Sequence, residues 1–369
     1  MGGGTPSSSN ESFWQGTIPW VSSSDIVEND IKNISISRYI TEEAIAHSAT
    51  KLCPAPSILI VSRVGVGKIA LSKEAICTSQ DFCNLINIKV EPIFLTYCLS
   101  QIMKRKSMEV QGTSIKGITT SEIQKISINI PSLQEQKKIG KILSLLDERI
   151  ATQNKIIDKL QSLIKGLNDT LYAQHGDEVM TSFAELGTSY SGLSGKSAQD
   201  FGSGKPFITY LNVYSNNVIN ENEFQYVAIK DGEKQNIVEY GDVLFTLSSE
   251  TPNEVGIGSV FLGKEKVYLN SFCFGIHITN KEVAFPPFLS YYVSSTAFRK
   301  FIYPFAQGST RFNLCKADFE KASIKLPTLE NQKRIYSILS HIDSKIETEK
   351  HMLDLYNSQK QYLLRQMFI

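Results

Sequence analysis

Apolar residues recur three and four apart along Ile139, Leu143, Leu146 and Ile150, then, past the polar Gln153, along Ile157, Leu160, Ile164, Leu167 and Leu171. A seam of that period, introduced by Pro131 and Ser132, predicts one long helix with one face turned toward a partner. The same spacing returns later as Ile335, Leu339, Ile342, Ile346, Glu349, Leu353, Tyr356, Lys360, Leu363 and Met367. Gln153 and Glu349 fall in the same layer of the two seams, where a polar residue either fixes register or marks the solvated edge. A helix of about 40 residues is roughly 60 Å long.

The second seam is a copy of the first. Residues 129–172 align with 325–368 without gaps, and Pro131, Leu133, Gln136, Lys137, Ile139, Ile142, Leu143, Ser144, Asp147, Ile150, Thr152, Asp158 and Leu167 recur 196 positions later. Upstream, Gln111, Gly112, Lys125 and Ile128 answer Gln307, Gly308, Lys321 and Ile324, and beyond that the likeness fades. The chain is therefore a duplicated unit in which the helices agree and the globular parts have diverged. Its expected segments are a first domain over 1–128, a helix over 129–172, a second domain over 173–325 and a helix over 326–369.

The globular parts alternate short β-rich runs, Ser57–Ser62 and Gly241–Leu247, with glycine-marked turns at Gly65, Gly67, Gly256 and Gly258. Helical stretches are predicted over Pro92–Lys106 and Pro286–Phe301, each opening near a proline. The fold class that follows is α+β. Two similar mixed α/β domains are separated by two long helices that pair as an antiparallel coiled coil, with pseudo-two-fold symmetry.

Composition narrows the function. Hydrophobic residues make up 41% of the 369 positions and charged residues 20%, as in an ordinary globular protein. No run approaches the roughly 18 apolar residues of a membrane span, so the cytoplasm and no membrane partner are expected. The cysteines show no paired spacing, and the histidines, His47, His175, His277, His341 and His351, are scattered, so no metal site is expected. Net charge is only +1, yet Lys51 to Lys125 holds ten lysines and arginines against five acids. That local excess is compatible with a nucleic acid partner without demanding one.

Three features taken together resemble the specificity subunit of type I restriction-modification systems over nearly the whole chain. They are Ile18-Pro19-Trp20-Val21-Ser22-Ser23-Ser24-Asp25, the Gln-Gly segments at Gln111–Lys116 and Gln307–Arg311, and the pair Ile130–Gln136 and Leu326–Gln332. The ending Tyr362–Phe368 is also similar to the family's. The resemblance implies two target-recognition domains, each reading half of an interrupted double-stranded DNA site. It also implies long helices that dock two methyltransferase subunits, and a restriction or translocase subunit as a further partner. S-adenosylmethionine, ATP and magnesium would be carried by those partners and no cofactor by this chain. One departure concerns the start. The second domain opens with Phe183-Ala184-Glu185-Leu186-Gly187, whereas the first begins almost at once with Gly2-Gly3-Gly4-Thr5-Pro6, so its opening strand is expected to be missing. A misplaced start, a recombined gene or completion by the chain's far end would each account for this.

Catalytic motifs fail on inspection, and a non-catalytic chain is expected. Phe285-Pro286-Pro287-Phe288 has the shape of an amino-methyltransferase signature, but Phe285 cannot accept a hydrogen bond from an amino group. Gly65-Val66-Gly67-Lys68 lacks the first glycine of a phosphate loop, at Ser62, and has Ile69 where Ser or Thr should hold magnesium. Bases are read by edge contacts and phosphates set position. The expected DNA-binding residues are Trp20, Ser22, Ser23, Ser24, Arg63, Lys68, Thr113, Ser114 and Lys116 in the first domain. In the second they are Thr209, Tyr210, Asn212, Ser309, Thr310 and Arg311. The rival reading is a coiled-coil scaffold or oligomerisation protein with no DNA role, which salt-sensitive duplex binding would separate from the first. Related domains on an antiparallel helix pair should meet differing half-sites about one turn apart, roughly 34 Å. Removing one or two heptads from both helices should then shorten the unread spacer and leave the half-sites intact when modified bases are sequenced. Altered half-sites would show that the helices do more than set a distance.

Overall fold

The structure, a computed structural model, describes residues 1–110, 117–175 and 178–368. Its contacts divide the chain into two compact units, one of Met1–Lys155 with Lys350–Ile369 and one of Ile156–Glu349. The divisions fall inside the long helices, which run over Leu133–His175 and Leu329–Met367. Each unit therefore holds part of both helices.

In the first unit the strand Ser57–Val61 lies between Ile69–Ser72 and Phe82–Leu85, antiparallel to each. Every residue of that central strand is buried, which suits an unbroken apolar run better than an alternating one. A second sheet runs in the order Arg38–Ile40, Ile18–Val21, Ile76–Thr78 and Leu52–Cys53. The helix Pro92–Val110 packs on the first sheet through Leu95, Tyr97, Leu99 and Met103, in one core with Leu143 and Leu364 of the long helices. The place expected to lack a strand is occupied by the first residues. The Met1 amino group donates to Asn84 O at 2.6 Å, Asn84 N donates to Met1 O at 2.7 Å, and Gly2 bridges Cys83.

The second unit repeats the plan with more strand. Val243–Thr246 lies between Gly258–Val260 and Cys273–Ile278, and Gly187–Ser191 completes that sheet where the first unit has Met1 and Gly2. Phe201–Ile208 pairs with Gln225–Val227 and Tyr268–Leu269. The helix expected over Pro286–Phe301 is two. Pro286–Tyr292 ends, and Ser295 starts a new one over Thr296–Ile302 by accepting from Phe298 N at 3.1 Å. Phe183, Phe245, Phe298 and Phe319 form the aromatic centre of this core, which also takes in Ile335 and Leu339.

Two contacts recur in both units and tie globular part to helix. Gln136 accepts from Glu91 N at 2.9 Å and donates to Pro131 O at 2.8 Å, while Gln332 accepts from Phe285 N at 2.8 Å and donates to Pro327 O at 2.8 Å. The Tyr97 hydroxyl donates to Asp147, and the Tyr291 hydroxyl donates to Asp343. Burial, reinforced by the facing carboxylate, pushes both phenols upward, so each remains a donor across the physiological range. Within the first unit the helices run antiparallel, with Asp147 beside Lys360 at 2.5 Å and Arg149 beside Tyr356 at 3.2 Å. The Lys360 ammonium also donates to Asn29 O at 3.3 Å.

Asp147 and Lys360 are both largely shielded from water, so removing the cation strands a carboxylate. Lys360→Ala is expected to lower unfolding stability by about 3 kcal/mol in urea titrations. A loss below about 1 kcal/mol would show that Tyr97 satisfies the carboxylate alone.

Candidate nucleic-acid interface

In the first unit the expected residues gather around one strand end. Trp20 lies on Ile18–Val21, opposite Arg38 in the neighbouring strand. Its ring is only 3% exposed, its indole N–H donates to Gly4 O at 2.9 Å, and it meets Trp14 edge-on at 5.0 Å. Trp20 is thus a core residue, with the Arg38 guanidinium 4.5 Å from its ring centroid. Ser22 to Asp25 form a tight turn in which Asp25 Oδ2 accepts from Ser22 N at 2.7 Å. Arg38 donates to the same oxygen at 2.5 Å and to Ser22 Oγ at 2.6 Å. Burial raises the Asp25 carboxyl, but the hydrogen bonds from Ser22 and Arg38 outweigh it and hold the group below its ordinary value.

Lys68 reaches the same turn, its ammonium donating to Ser23 O at 3.3 Å. It follows the turn of Gly65 and Gly67, whose φ of +86° and +103° favour glycine. Arg63 is exposed at the start of that turn, and Ile118 N donates to the adjacent Ser62 O at 2.8 Å. The structure therefore brings Ser22, Ser23, Ser24 and Lys68 together and adds Arg38, which no motif pointed to. Arg38 is found only through the strand register that sets it across from Trp20. Thr113, Ser114 and Lys116 lie outside the described residues.

In the second unit Thr209 caps the helix Tyr210–Ser215 by accepting from Asn212 N at 3.1 Å. Asn212 is fully buried and clamps a loop, donating to Asn220 O at 2.8 Å and accepting from Asn220 N at 3.0 Å. Both are framework residues here. The Tyr210 hydroxyl donates to Ser248 O at 2.8 Å, and Ser248–Ser249 pairs with Phe312–Leu314. Ser309, Thr310 and Arg311 form the exposed connection between that strand and Ala306–Gln307. The Arg311 guanidinium lies 5.9 Å from the ring of Phe272, which is 56% exposed although its backbone N–H donates to Asn270 Oδ1 at 2.9 Å. Phe272 is a surface aromatic that the pattern of the sequence did not single out.

In the same unit Lys196 is committed to structure. It donates to Ala228 O at 2.6 Å and to Glu233 at 2.6 Å, and that hydrogen bond is the chief cause of the Glu233 carboxyl falling to about 2. Among the described residues there is no cluster of three or more His, Cys, Asp or Glu side chains able to hold a metal, and no helix is long and apolar enough to cross a membrane. What the two faces offer is hydroxyls, backbone groups and a few cations, with the exposed Phe272 ring added in the second unit. That inventory suits contact with the phosphates and polar base edges of a nucleic acid.

A family model described as the type I restriction modification DNA specificity domain matches residues 1–162 and 191–355. The chain is 32% identical over 169 residues to the type I restriction enzyme MjaIX specificity subunit of Methanocaldococcus jannaschii, covering 43% of this chain and 38% of that protein. It is 36% identical over 156 residues to the EcoR124I/EcoR124II specificity subunit of Escherichia coli, covering 40% and 38%. The aligned stretch thus spans well under half the length of either relative. Among solved structures, one from work on assembly and conformational transition of the type I R-M system aligns with a TM-score of 0.61 at 18% identity, over 96% of this chain and 92% of that one. The type I S subunit of M. genitalium aligns at 0.54 and 16% identity, over 100% and 93%. At these identities the likeness is one of fold.

The Arg38–Asp25 contact has a measurable signature. Because the folded carboxyl is held low, its contribution to stability is present above the unfolded value of about 3.9 and is lost as pH falls through the folded one. In Arg38→Ala the Asp25 resonance should titrate at higher pH than in the parent protein. An unchanged titration would show that Ser22 alone sets it.

Proposed function

The chain belongs to the type I restriction-modification DNA specificity family, and we propose that it is the target-reading subunit of such a complex, each globular unit reading one half of a bipartite, asymmetric duplex site. The observation that carries this is the contrast between kept anchors and changed faces. The Gln and Tyr–Asp contacts to the helices are the same in both units. The groups that reach the surface are not: Ser24, Arg63 and the half-buried Lys68 on one side, Phe272, Ser309, Thr310 and Arg311 on the other. Duplicated seats with dissimilar faces are what two different half-sites require.

The reading domains are taken as 1–128 and 173–325, with helices 129–172 and 326–369 as the docking surface for two methyltransferase subunits and a restriction or translocase subunit. This chain carries no catalytic step. S-adenosylmethionine, ATP and magnesium belong to the partners, and the complex works in the cytoplasm. Within the chain, Ser22 and the backbone of the Ser22–Asp25 turn, fixed by Arg38, serve as the rigid reader of the first half-site. Arg311, steadied by Phe272, serves as the charged reader of the second, a role for which a guanidinium is suited because it can bond guanine or phosphate through two parallel donors.

Sequencing modified adenines in cells that carry the methyltransferase partner, with and without this chain, tests the reading. A split, asymmetric methylated site that depends on the chain is expected. Arg311→Ala should relax one half-site, with a cost of about 1–3 kcal/mol at the affected base, and leave the other half unchanged. Methylation that is identical without the chain would refute the proposal.

A further inference from the structure

One corner of the globular part recurs in both units with the same backbone and different side chains. In the first unit the turn Ser79–Asp81 leads into Phe82–Leu85, and in the second Asn270–Phe272 leads into Cys273–Ile278. Ser79 N donates to Val21 O at 2.9 Å, as Asn270 N does to Ile208 O at 3.0 Å. Ser62 N donates to Asp81 O at 2.8 Å, as Leu247 N does to Phe272 O at 2.9 Å. Each turn is closed by the side chain of its first residue, Ser79 Oγ accepting from Asp81 N at 3.3 Å and Asn270 Oδ1 from Phe272 N at 2.9 Å. Asp81 and Phe272 therefore occupy one position, matched by hydrogen bonds where the likeness in sequence has faded.

That position borders the segments proposed to read DNA. In the first unit the corner is bonded to Val21, which leads into the Ser22–Asp25 turn, and to Ser62, which leads into Arg63. In the second unit the corner side chain meets a reader directly, the Phe272 ring lying 5.9 Å from the Arg311 guanidinium. The side chain at this position is not needed to build the turn, because Phe272 has no polar group to contribute and the turn forms all the same. The Asp81 carboxylate is thus available for another task. It is half-buried, its Oδ2 accepts from Ser79 Oγ at 3.2 Å, and among the described residues it has no ion-pair partner.

A carboxylate beside a duplex is repelled by the phosphates, so it weakens binding unless it finds a donor. The donors that the major-groove edge offers are exocyclic amino groups, N4 of cytosine and N6 of adenine. We infer that Asp81 is a specificity-determining residue of the first half-site, its carboxylate accepting a hydrogen bond from the exocyclic amino group of a cytosine or an adenine, an inference that rests on the target-reading role proposed above. Wherever that amino group is missing, the carboxylate keeps its repulsion and gains nothing, so the residue rejects wrong sequences as well as favouring the right one. Phe272, at the same corner of the second unit, offers no acceptor, and the second half-site carries no such requirement at the matching place.

The test uses the complex of the full chain with its methyltransferase partner, modified adenines being sequenced in cells and duplex binding followed by anisotropy. Asp81→Ala should relax the requirement at one base pair of the first half-site and leave the second half-site unchanged. In an analogue scan of the first half-site, purine replaces each adenine and 2-pyrimidinone each cytosine in turn, which removes only the amino group. One such replacement should weaken binding by the parent complex about tenfold and leave Asp81→Ala indifferent, and the analogue that does so identifies the base. Asp81→Ala should also bind non-target duplex more tightly than the parent, since a repulsive charge is gone, whereas a purely structural role would weaken target and non-target alike. Chain-dependent methylation with an unaltered first half-site in Asp81→Ala, equal losses on both duplexes, or a parent complex indifferent to every analogue would overturn the inference and leave the target-reading role standing. Methylation that does not depend on the chain would overturn both.

Discussion

A carboxylate on a long helix that receives the phenol of a tyrosine from the globular part is the contact on which each half of this protein depends. Asp147 and Asp343 sit at matching turns of their helices, and Tyr97 and Tyr291 at matching turns of the packed helix. A carboxylate held away from water must be bonded, and one position on the helix face brings it to the phenol. That fixes the rotation of the helix against its globular part. The buried glutamine, Gln136 or Gln332, fixes the slide along the axis by holding the turn that leads into the packed helix. Leu143 and Leu339 can then pack without ambiguity, because a slip of one residue would expose the leucine and orphan the acid together.

The sequence announces this part of the fold clearly. A seam of period near 3.5 persists over many turns, and its repetition 196 residues on needs no knowledge of strands. Strands were legible only where they are fully buried, as at Ser57–Val61 and Val243–Thr246. The break between Tyr292 and Thr296 was missed because Ser295 reads as an ordinary helix residue unless its capping bond to Phe298 N is known. The candidate surface was harder to read. Trp20 and Asn212 look like recognition residues in sequence, being an aromatic and an amide in polar company, yet both are spent inside the units, one on Gly4 O and one on Asn220. Arg38 and Phe272 escaped notice for the converse reason. What brings each to its neighbours is strand register or loop geometry, which local pattern does not record.

The two halves also show how a duplicated plan absorbs divergence. The strand position held by Trp20 in the first unit is held by Phe207 in the second, and each pairs across the sheet, with Arg38 in one case and Gln225 in the other. The buried member keeps its aromatic character, and the partly exposed member does not. Where the second unit spends Gly187–Ser191 on a full strand, the first uses the backbone of Met1 and Gly2, which offers fewer bonds but closes the same sheet edge.

Lys360, beside Asp147, stands where the other helix has Ile164. Its ammonium bonds Asn29 O as well as Asp147, whereas in the second unit the long helix holds its globular part through Asp169, which accepts from Thr296 N at 3.0 Å, and Asn168, which donates to Tyr291 O at 2.9 Å. The seats are alike enough to have arisen by copying and different enough to carry an address. The lysine and the Asn29 loop form one matched set, as Asp169 and Thr296 do in the second unit, so a change on either side of such a contact has to be answered on the other.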